Sequence, residues 1–530
     1  MRLILTLFLF FYLFAQASGV FVSGGGKSVV SGLVQNSFIG QPISGSVSSN
    51  NNINIISGGV ILITNEYLSS TWVSTYGNDF TGDGTFDNPY RYIQTAINNA
   101  SEGNSIRILP GTYSENISYT KNISLIGQNY SGEIIIDGQG TNVGDAINVS
   151  NVDSVIISNL TIQNGEEGIK LQYCEIVKLT NIVFKDNNYS LNIEGSGYTT
   201  IDSTVFQNNQ HGPYWTGTGS DSLLIRNSFI SNNSERGISI NETNAIINNT
   251  TFYGNARAIQ FHSLTNDSLV LNNITVDSNS VYGLWMGSSN NDQINLSISN
   301  STFRNNFSTD QGSAIHSKSN GIKITGTKFL NNHSQNKGTI YIDENGATVN
   351  IVGCFFNNNS GNSSYGSVIS SESDISLTDC VLINNNNNVF GGGNTWGTSA
   401  NFTILNSIIW NNTIINSSWQ SISININYSC IENAYAGTGN ISTNPQFCNP
   451  FENNLTLAQT SPCLGTGWYN ENMGGLIVGC TSQTKTFYVD DNGDSDGTGT
   501  LLDPLNEISS IFKNLDSGDT VIVYPGTYAG

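Results

Sequence analysis

Asn181-Ile182-Val183-Phe184-Lys185-Asp186-Asn187 returns further along the chain as Asn300-Ser301-Thr302-Phe303-Arg304-Asn305-Asn306. The shared feature, an apolar residue followed three positions later by Asn, recurs at Phe206, Phe229, Phe252, Val276, Phe329, Phe355, Val381 and Ile409. Counted from Phe184, the steps are 22, 23, 23, 24, 27, 26, 26, 26 and 28 residues. A small residue and a second short apolar run follow each copy, as in Gly312-Ser313-Ala314-Ile315. Such runs, rich in Ile, Val, Phe and Thr between Asn or Gly, read as strands of about three to five residues. The step is too short for helical repeats, which take about 33 residues or more. It fits an all-β coil in which each turn of chain bonds to the turns before and after it. The phenylalanines then stack inside, and the Asn marks a bend, because Asn tolerates left-handed backbone angles and can bond along its own ladder. The Leu-x-x-Leu-x-Leu frame of the competing leucine-rich solenoid is missing.

A solenoid grows by stacking, so the 530 residues need not divide into several globular domains. Its two ends expose strand edges that need covering. At the front, Asn88-Pro89 reads as a helix start with Asn as cap, and Ile93, Ala96, Ile97 and Ala100 keep helical spacing before Gly103. At the back, Cys430, Cys448, Cys463 and Cys480 crowd into one stretch that reads as a closing cap held by two disulfides. Cys354 and Cys380 lie one repeat apart and should sit one above the other, bonded or stacked. Cys174 reads as an apolar filler.

The first 17 residues read as a secretory signal: Arg2, an apolar run from Leu3 to Phe14, then Ala15-Gln16-Ala17. That run is shorter than the about 20 residues a spanning helix needs, and no second long apolar stretch follows. Residues 18–70 are Gly, Ser and Asn with scattered Val and Ile, either a flexible stalk or extra strands of the coil. About two dozen Asn-x-Ser/Thr triplets, from Asn99 to Asn454, point to a glycosylated, extracellular chain. The seven cysteines fit an oxidising compartment. With 18 basic against 39 acidic residues, the chain has no basic patch for nucleic acid.

The opening motif is written twice. Gly84, Pro89, Ile93, Gly103 and Pro110-Gly111-Thr112-Tyr113 reappear at a constant offset as Gly499, Pro504, Ile508, Gly518 and Pro525-Gly526-Thr527-Tyr528. Residues 71–482 therefore read as one complete unit, and residues 486–530 as the truncated start of another, either a piece of a longer array or a vestige.

Taken in order, the opening around Gly82-Asp83-Gly84-Thr85, the repeats and the closing Asn444-Pro445-Gln446-Phe447 and Ser461-Pro462-Cys463 resemble the right-handed parallel β-helix (pectin lyase-like) superfamily. The repeats are also similar to passenger repeats of outer-membrane adhesins. The resemblance implies a right-handed, single-stranded parallel β-helix with a short N-terminal capping helix. It leaves function open, because such folds host lyases, hydrolases, esterases, epimerases and adhesins. Polygalacturonase-type members carry Asp-Asp and Gly-His-Gly motifs, but here Asp490-Asp491 lies outside the complete unit and the nearest to the second is Gln210-His211-Gly212. Gly111-x-Tyr113-x-Glu115 matches the start of pectin methylesterases, without their later catalytic strand. A pectate-lyase-type Asp cluster beside a basic residue is not found.

One stripe stands out. Glu167, Tyr189 and His211 each fall five residues after a repeat anchor, and Glu235, Arg236, Arg257 and His262 lie just past the matching bend of the next coils. Tyr214, Trp215 and Trp285 add aromatic faces. Together these form either a surface for a sugar chain, with Glu167, His211, Glu235 and Arg236 as candidates for acid–base work, or an ordinary solvated turn stripe with tryptophans packed beneath it. His316 and His333 read as surface residues. No cofactor is expected, although Asn492, Asp494, Asp496 and Asp503 have the oxygen spacing of a calcium loop. The leading expectation is an extracellular structural, adhesive or glycan-binding protein with a polysaccharide or cell-surface glycan as partner; the alternative is a polysaccharide-active lyase, hydrolase or epimerase.

Overall fold

The computed structural model describes residues 70–530, apart from 129, 220, 265, 289–293, 311, 362–365, 387, 393–398, 413–420, 450–453, 482–484, 496, 512–514, 516–518 and 529–530, together with four short strands before residue 61. Those strands pair antiparallel, Lys27–Val30 with Leu33–Asn36 and Ile55–Ile56 with Gly59–Val60. They belong to a compact unit, Met1–Thr71, separate from Trp72–Gly530. The leader falls outside the described residues. Among those described, no helix is long and apolar enough to cross a membrane.

From about residue 105 to residue 431 the chain winds as a parallel coil of about fourteen turns. Each turn contributes to three strand columns. The first face carries the phenylalanine motif, the second runs through Glu167–Gln172, Tyr189–Glu194 and Arg236–Asn241, and the third through Tyr198–Asp202, Ser222–Arg226 and Asn244–Asn248. In-register pairing aligns Phe184, Phe206, Ile230, Phe252, Val276, Phe303, Phe329, Phe356, Leu382 and Ile409 in a single buried column. Neighbouring rings stack at 4.8 Å (Phe184–Phe206), 5.5 Å (Phe303–Phe329) and 4.8 Å (Phe329–Phe356).

Three positions in this column correct the sequence count. Phe229, Phe355 and Val381 sit one residue early, on the outward side, and Ile230, Phe356 and Leu382 take the core. A one-residue shift reverses which side of a strand a residue faces.

Bends on both flanks of the first face hold left-handed residues, for example Asn181 and Asp186, or Asn300 and Asn305. Immediately after the second bend, Asn187, Asn209, Asn233, Asn255, Asn279, Asn306, Asn332, Asn359 and Asn385 point inward, each amide donating to the Asn side chain one turn on at 2.9–3.2 Å. A hydroxyl ladder follows the first bend through Ser228, Thr250, Ser301, Thr327, Ser407 and Ser429. Cys354 and Cys380 occupy this ladder as stacked, buried thiols, and burial pushes both up, Cys354 to about 12. Cys174 is likewise a buried thiol.

The front helix, α1 (Ile93–Asn99), buries Ile93, Ala96 and Ile97. Asn88 does not cap it. The helix begins after Tyr92, and its first two amides, those of Ile93 and Gln94, donate to the Glu115 carboxylate at 2.8 and 3.0 Å. Lys121 Nζ meets the carbonyls of Ile97, Asn98 and Ala100 at the other end. A negative charge at the N-terminus and a positive one at the C-terminus both suit the helix dipole, and both come from the following coil.

At the back, Cys448–Cys480 is bonded, whereas Cys430 and Cys463 are buried thiols in one apolar cluster. The segment lays residues 438–441 on the last turn, where the Ile441 amide donates to the Ser429 carbonyl and the Ile431 amide to the Ile441 carbonyl. It packs against outward residues of the first face, Val381, Ile383 and Ile408, with Phe447, Leu457 and Met473. The reason is in the sequence: the outward positions that are Thr251, Thr275 and Thr302 earlier become Val381 and Ile408 here, and apolar area needs a cover. In the tail, Thr486–Val489 pairs parallel with Thr520–Val523 around a small core of Val489, Leu505 and Ile511. Its bonds repeat those of the front: Tyr528 Oη donates to the Tyr524 carbonyl as Tyr113 Oη does to that of Leu109.

Candidate functional site

Pairing on the second face turns the predicted stripe into a column. Glu167, Tyr189, His211, Arg236, Arg257 and Tyr282 lie in register on six successive turns. A parallel outward column holds Lys170, Asn192, Tyr214, Ser239, Gln260, Trp285, His316 and Tyr341. His262 stands in a third, between Asn241 and Gly287.

The upper end is acidic. Glu167 is paired with Lys170 at 3.3 Å, and Asn192 Nδ2 donates to Glu167 at 2.8 Å and to Glu194 at 3.3 Å. Burial raises the Glu167 carboxyl above its ordinary value, against the lowering hydrogen bond from Asn192. In the middle, the His211 ring stacks on Tyr189 at 4.4 Å, with Tyr214 edge-on to Tyr189 at 6.2 Å. Burial, and then the Arg236 charge, hold the His211 pKa below its usual value. Arg257 pairs with Glu235 at 3.0 Å. Among the described residues, buried Arg236 Nε and His211 Nδ1 have no hydrogen-bond partner. The half-buried Arg236 and Arg257 guanidinium groups, beside the Tyr189 and Tyr214 rings, suit hydroxyl and other oxygen acceptors of a ligand.

Trp215 is not part of the surface. Strand alternation turns it inward between Tyr214 and Thr216, and it is 2% exposed in the core. His316 is also displaced from expectation: it is buried, and its Nε2 meets Asp343 Oδ2 at 3.2 Å. Tyr341 donates to Asp343 Oδ1 at 2.9 Å, Lys318 lies 3.3 Å from the same carboxylate, and Lys337 stands 4.7 Å over the Tyr341 ring. Sequence reading missed this cluster, whose members meet only once turns of 25 to 27 residues are aligned. His333 is exposed and bonds Ser360.

Burial alone would raise Asp343, but hydrogen bonds from His316 and Tyr341, and the nearby His316 and Lys318 charges, bring it down to about 2. A depressed carboxylate stabilises the fold above its unfolded pKa near 4, and the benefit fades as pH falls through about 2. Asp343→Asn should therefore lower unfolding free energy by about 2 kcal/mol at pH 7 and by almost nothing at pH 2. Denaturant titrations at the two pH values check this; an equal loss at both refutes it.

In the tail, Asp503 accepts from the Thr498 amide and hydroxyl, and Asn492 bonds Asp490 and Asp491. The Asp494 amide donates to the Pro504 carbonyl, and Asp496 lies outside the described residues. Among the described residues no three His, Cys, Asp or Glu side chains converge as a metal site.

Residues 145–303 match the family model described as "Right handed beta helix region". Over those residues the coil is similar to right-handed β-helix proteins. This β-helix is similar in fold to pectate lyase Pel9A (13% identity, 77% of this chain and 96% of that one, TM-score 0.32). It is similar also to XylC in complex with xylose (9%, 71% and 87%, 0.37) and to the catalytic domain of GH87 alpha-1,3-glucanase with nigerose (12%, 74% and 70%, 0.36). At these identities the likeness is one of fold alone. No curated protein matches the β-helix in sequence.

Proposed function

We propose that the protein is an extracellular glycan-binding β-helix that holds an extended polysaccharide along its second face without cleaving it. The observation carrying this reading is the pair of columns on that face, which gather the rings of Tyr189, Tyr214 and Trp285 beside the Glu167–Lys170 and Glu235–Arg257 pairs. Turns rise about 4.8 Å, close to the advance of one sugar in an extended chain, so a glycan lying along the axis meets successive turns in step. Secretion, inferred from the leader, puts the face where such polymers are.

The missing cleavage follows from spacing. Glu167 and Glu235 lie three turns apart, about 14 Å along the axis at that rise. Glycosidase carboxylates work about 5–9.5 Å apart. Glu235 is also engaged by Arg257. A polysaccharide-active reading rests on a different pair, Glu167 and Glu194, bridged by Asn192; but Glu194 is held by Gln172 Nε2 at 2.7 Å as well.

On a glycan array the purified protein should retain at least one polysaccharide. Arg236→Ala/Arg257→Ala should weaken that binding by about tenfold or more, the loss of one or two well-placed contacts. Depolymerisation of a bound polysaccharide, abolished by Glu167→Gln, would replace this reading with the enzymatic one.

A further inference from the structure

Trp285 has a setting that the rest of the stripe lacks. Its indole lies across Gly287, two residues on in the same strand: a Cβ at Gly287 would stand 2.2 Å from the ring. Gly287 does not have a positive φ, so the backbone does not demand glycine there. What demands it is the ring. On one side the His262 ring is parallel to the indole within 2° at 6.5 Å; on the other, His316 meets it edge-on at 6.4 Å. His316 is itself stacked on Tyr341 at 4.8 Å and tied to Asp343. The half-buried indole is thus propped from below by a buried, hydrogen-bonded stack, and its orientation is set before any ligand arrives. A pre-oriented ring avoids the entropy cost of ordering on binding.

Resting on the glycan-binding reading, we propose that Trp285, laid down by Gly287, is a stacking subsite for one pyranose of a neutral, β-1,4-linked glycan. The chemistry follows from the shape. A pyranose with equatorial hydroxyls presents an apolar C–H face, which packs on a flat aromatic surface while the hydroxyls stay wet. A straight β-1,4-linked chain keeps those faces in line along the turns, toward Tyr214 in the same column. The cationic turns at Arg236 and Arg257 lie above the shelf, and among the described residues no Lys or Arg side chain stands over the indole face. The indole face therefore selects for sugar shape, not for charge.

The test uses the full chain and a soluble β-1,4-linked glucan hexamer, followed by calorimetry. Trp285→Ala should weaken binding by about tenfold or more, with Trp285→Phe retaining part of it. Gly287→Val should cause a comparable loss with the indole still present, because the side chain lifts the ring; an unchanged melting curve shows that the coil is intact. Full affinity in both Trp285→Ala and Gly287→Val would overturn the subsite. If the wild type ignores the hexamer but binds a charged glycan on the array, the subsite falls and the general reading stands. If it binds no glycan at all, both fall.

Discussion

Asn279→Leu should destabilise the coil by about 4 kcal/mol or more, although the two side chains are close in size. Asn279 is fully buried and stands in the middle of the amide ladder. Its Oδ1 accepts from both the backbone and the side chain of Asn255, at 3.0 and 3.2 Å. Its Nδ2 donates to Asn306 and to the carbonyls of Phe252 and Asp277. Leucine would orphan the buried Asn255 amide N–H, at about 1–3 kcal/mol, and would strip one bond each from the Asn255 and Asn306 side chains and from the Phe252 and Asp277 carbonyls, at about 1 kcal/mol each. Whole-domain stability is commonly about 5–15 kcal/mol, so one substitution removes a large part of it. The loss is also local, since a solenoid's turns are stabilised chiefly by their neighbours. Amide exchange should quicken first between about residues 250 and 306. Asn331→Gly, in the exposed ladder where Asn331 Nδ2 meets Asn305 at 3.3 Å, should cost under about 1 kcal/mol, because glycine accepts the left-handed bend and water can replace the lost partners. A shift of less than about 1 kcal/mol for Asn279→Leu would mean that the ladder is incidental to the fold.

The same ladder shows what the sequence could and could not reveal. The repeat was legible because Asn serves the bend whichever of two roles it fills. Where two asparagines adjoin, as in Asn232-Asn233, Asn358-Asn359 and Asn384-Asn385, the first takes the left-handed bend and the second the buried ladder. Counting back from the wrong one moved the core residue by a single position at Phe229, Phe355 and Val381. The sequon count has a similar origin. Asn249, Asn273 and Asn300 are left-handed bend residues, and two positions on, the outward strand position is Thr251, Thr275 and Thr302. The repeat thus manufactures Asn-x-Thr triplets for its own reasons. At Asn306 and Asn332 the amide is buried in the ladder, so the folded coil leaves no room for a glycan there.

The stripe was legible for as long as turns kept one length. Glu167, Tyr189 and His211 follow their anchors by a constant five residues and do share a column. One turn later the column is continued by Arg236, while Glu235 is left at the bend beside Arg257. Trp215 was misplaced because strand alternation, which no count from an anchor captures, decides its side. The Asp343 cluster was invisible for a further reason. Its partners come from two neighbouring turns, and nothing local to His316 marks it for burial.

Phe329→Ala and Phe229→Ala separate the two registers in one experiment. Phe329 is fully buried, with Phe303 and Phe356 stacked on its two faces at 5.5 and 4.8 Å. Truncating it removes the transfer free energy of a phenyl ring and leaves a cavity between two rings that the rigid turns on either side cannot close, at about 3–5 kcal/mol. Phe229 occupies the corresponding turn in the sequence count, yet it is 40% exposed on the outside of the first face, with Ile230 filling the core beneath. Its loss should cost less than about 1 kcal/mol, within the range of surface changes. Urea midpoints of the two variants decide the matter. Equal, large losses would put Phe229 inside and rotate that strand by one residue. The adjoining turns would then have to give up Asn233 from the ladder, because the same shift that buries Phe229 turns Asn233 away from Asn209 and Asn255.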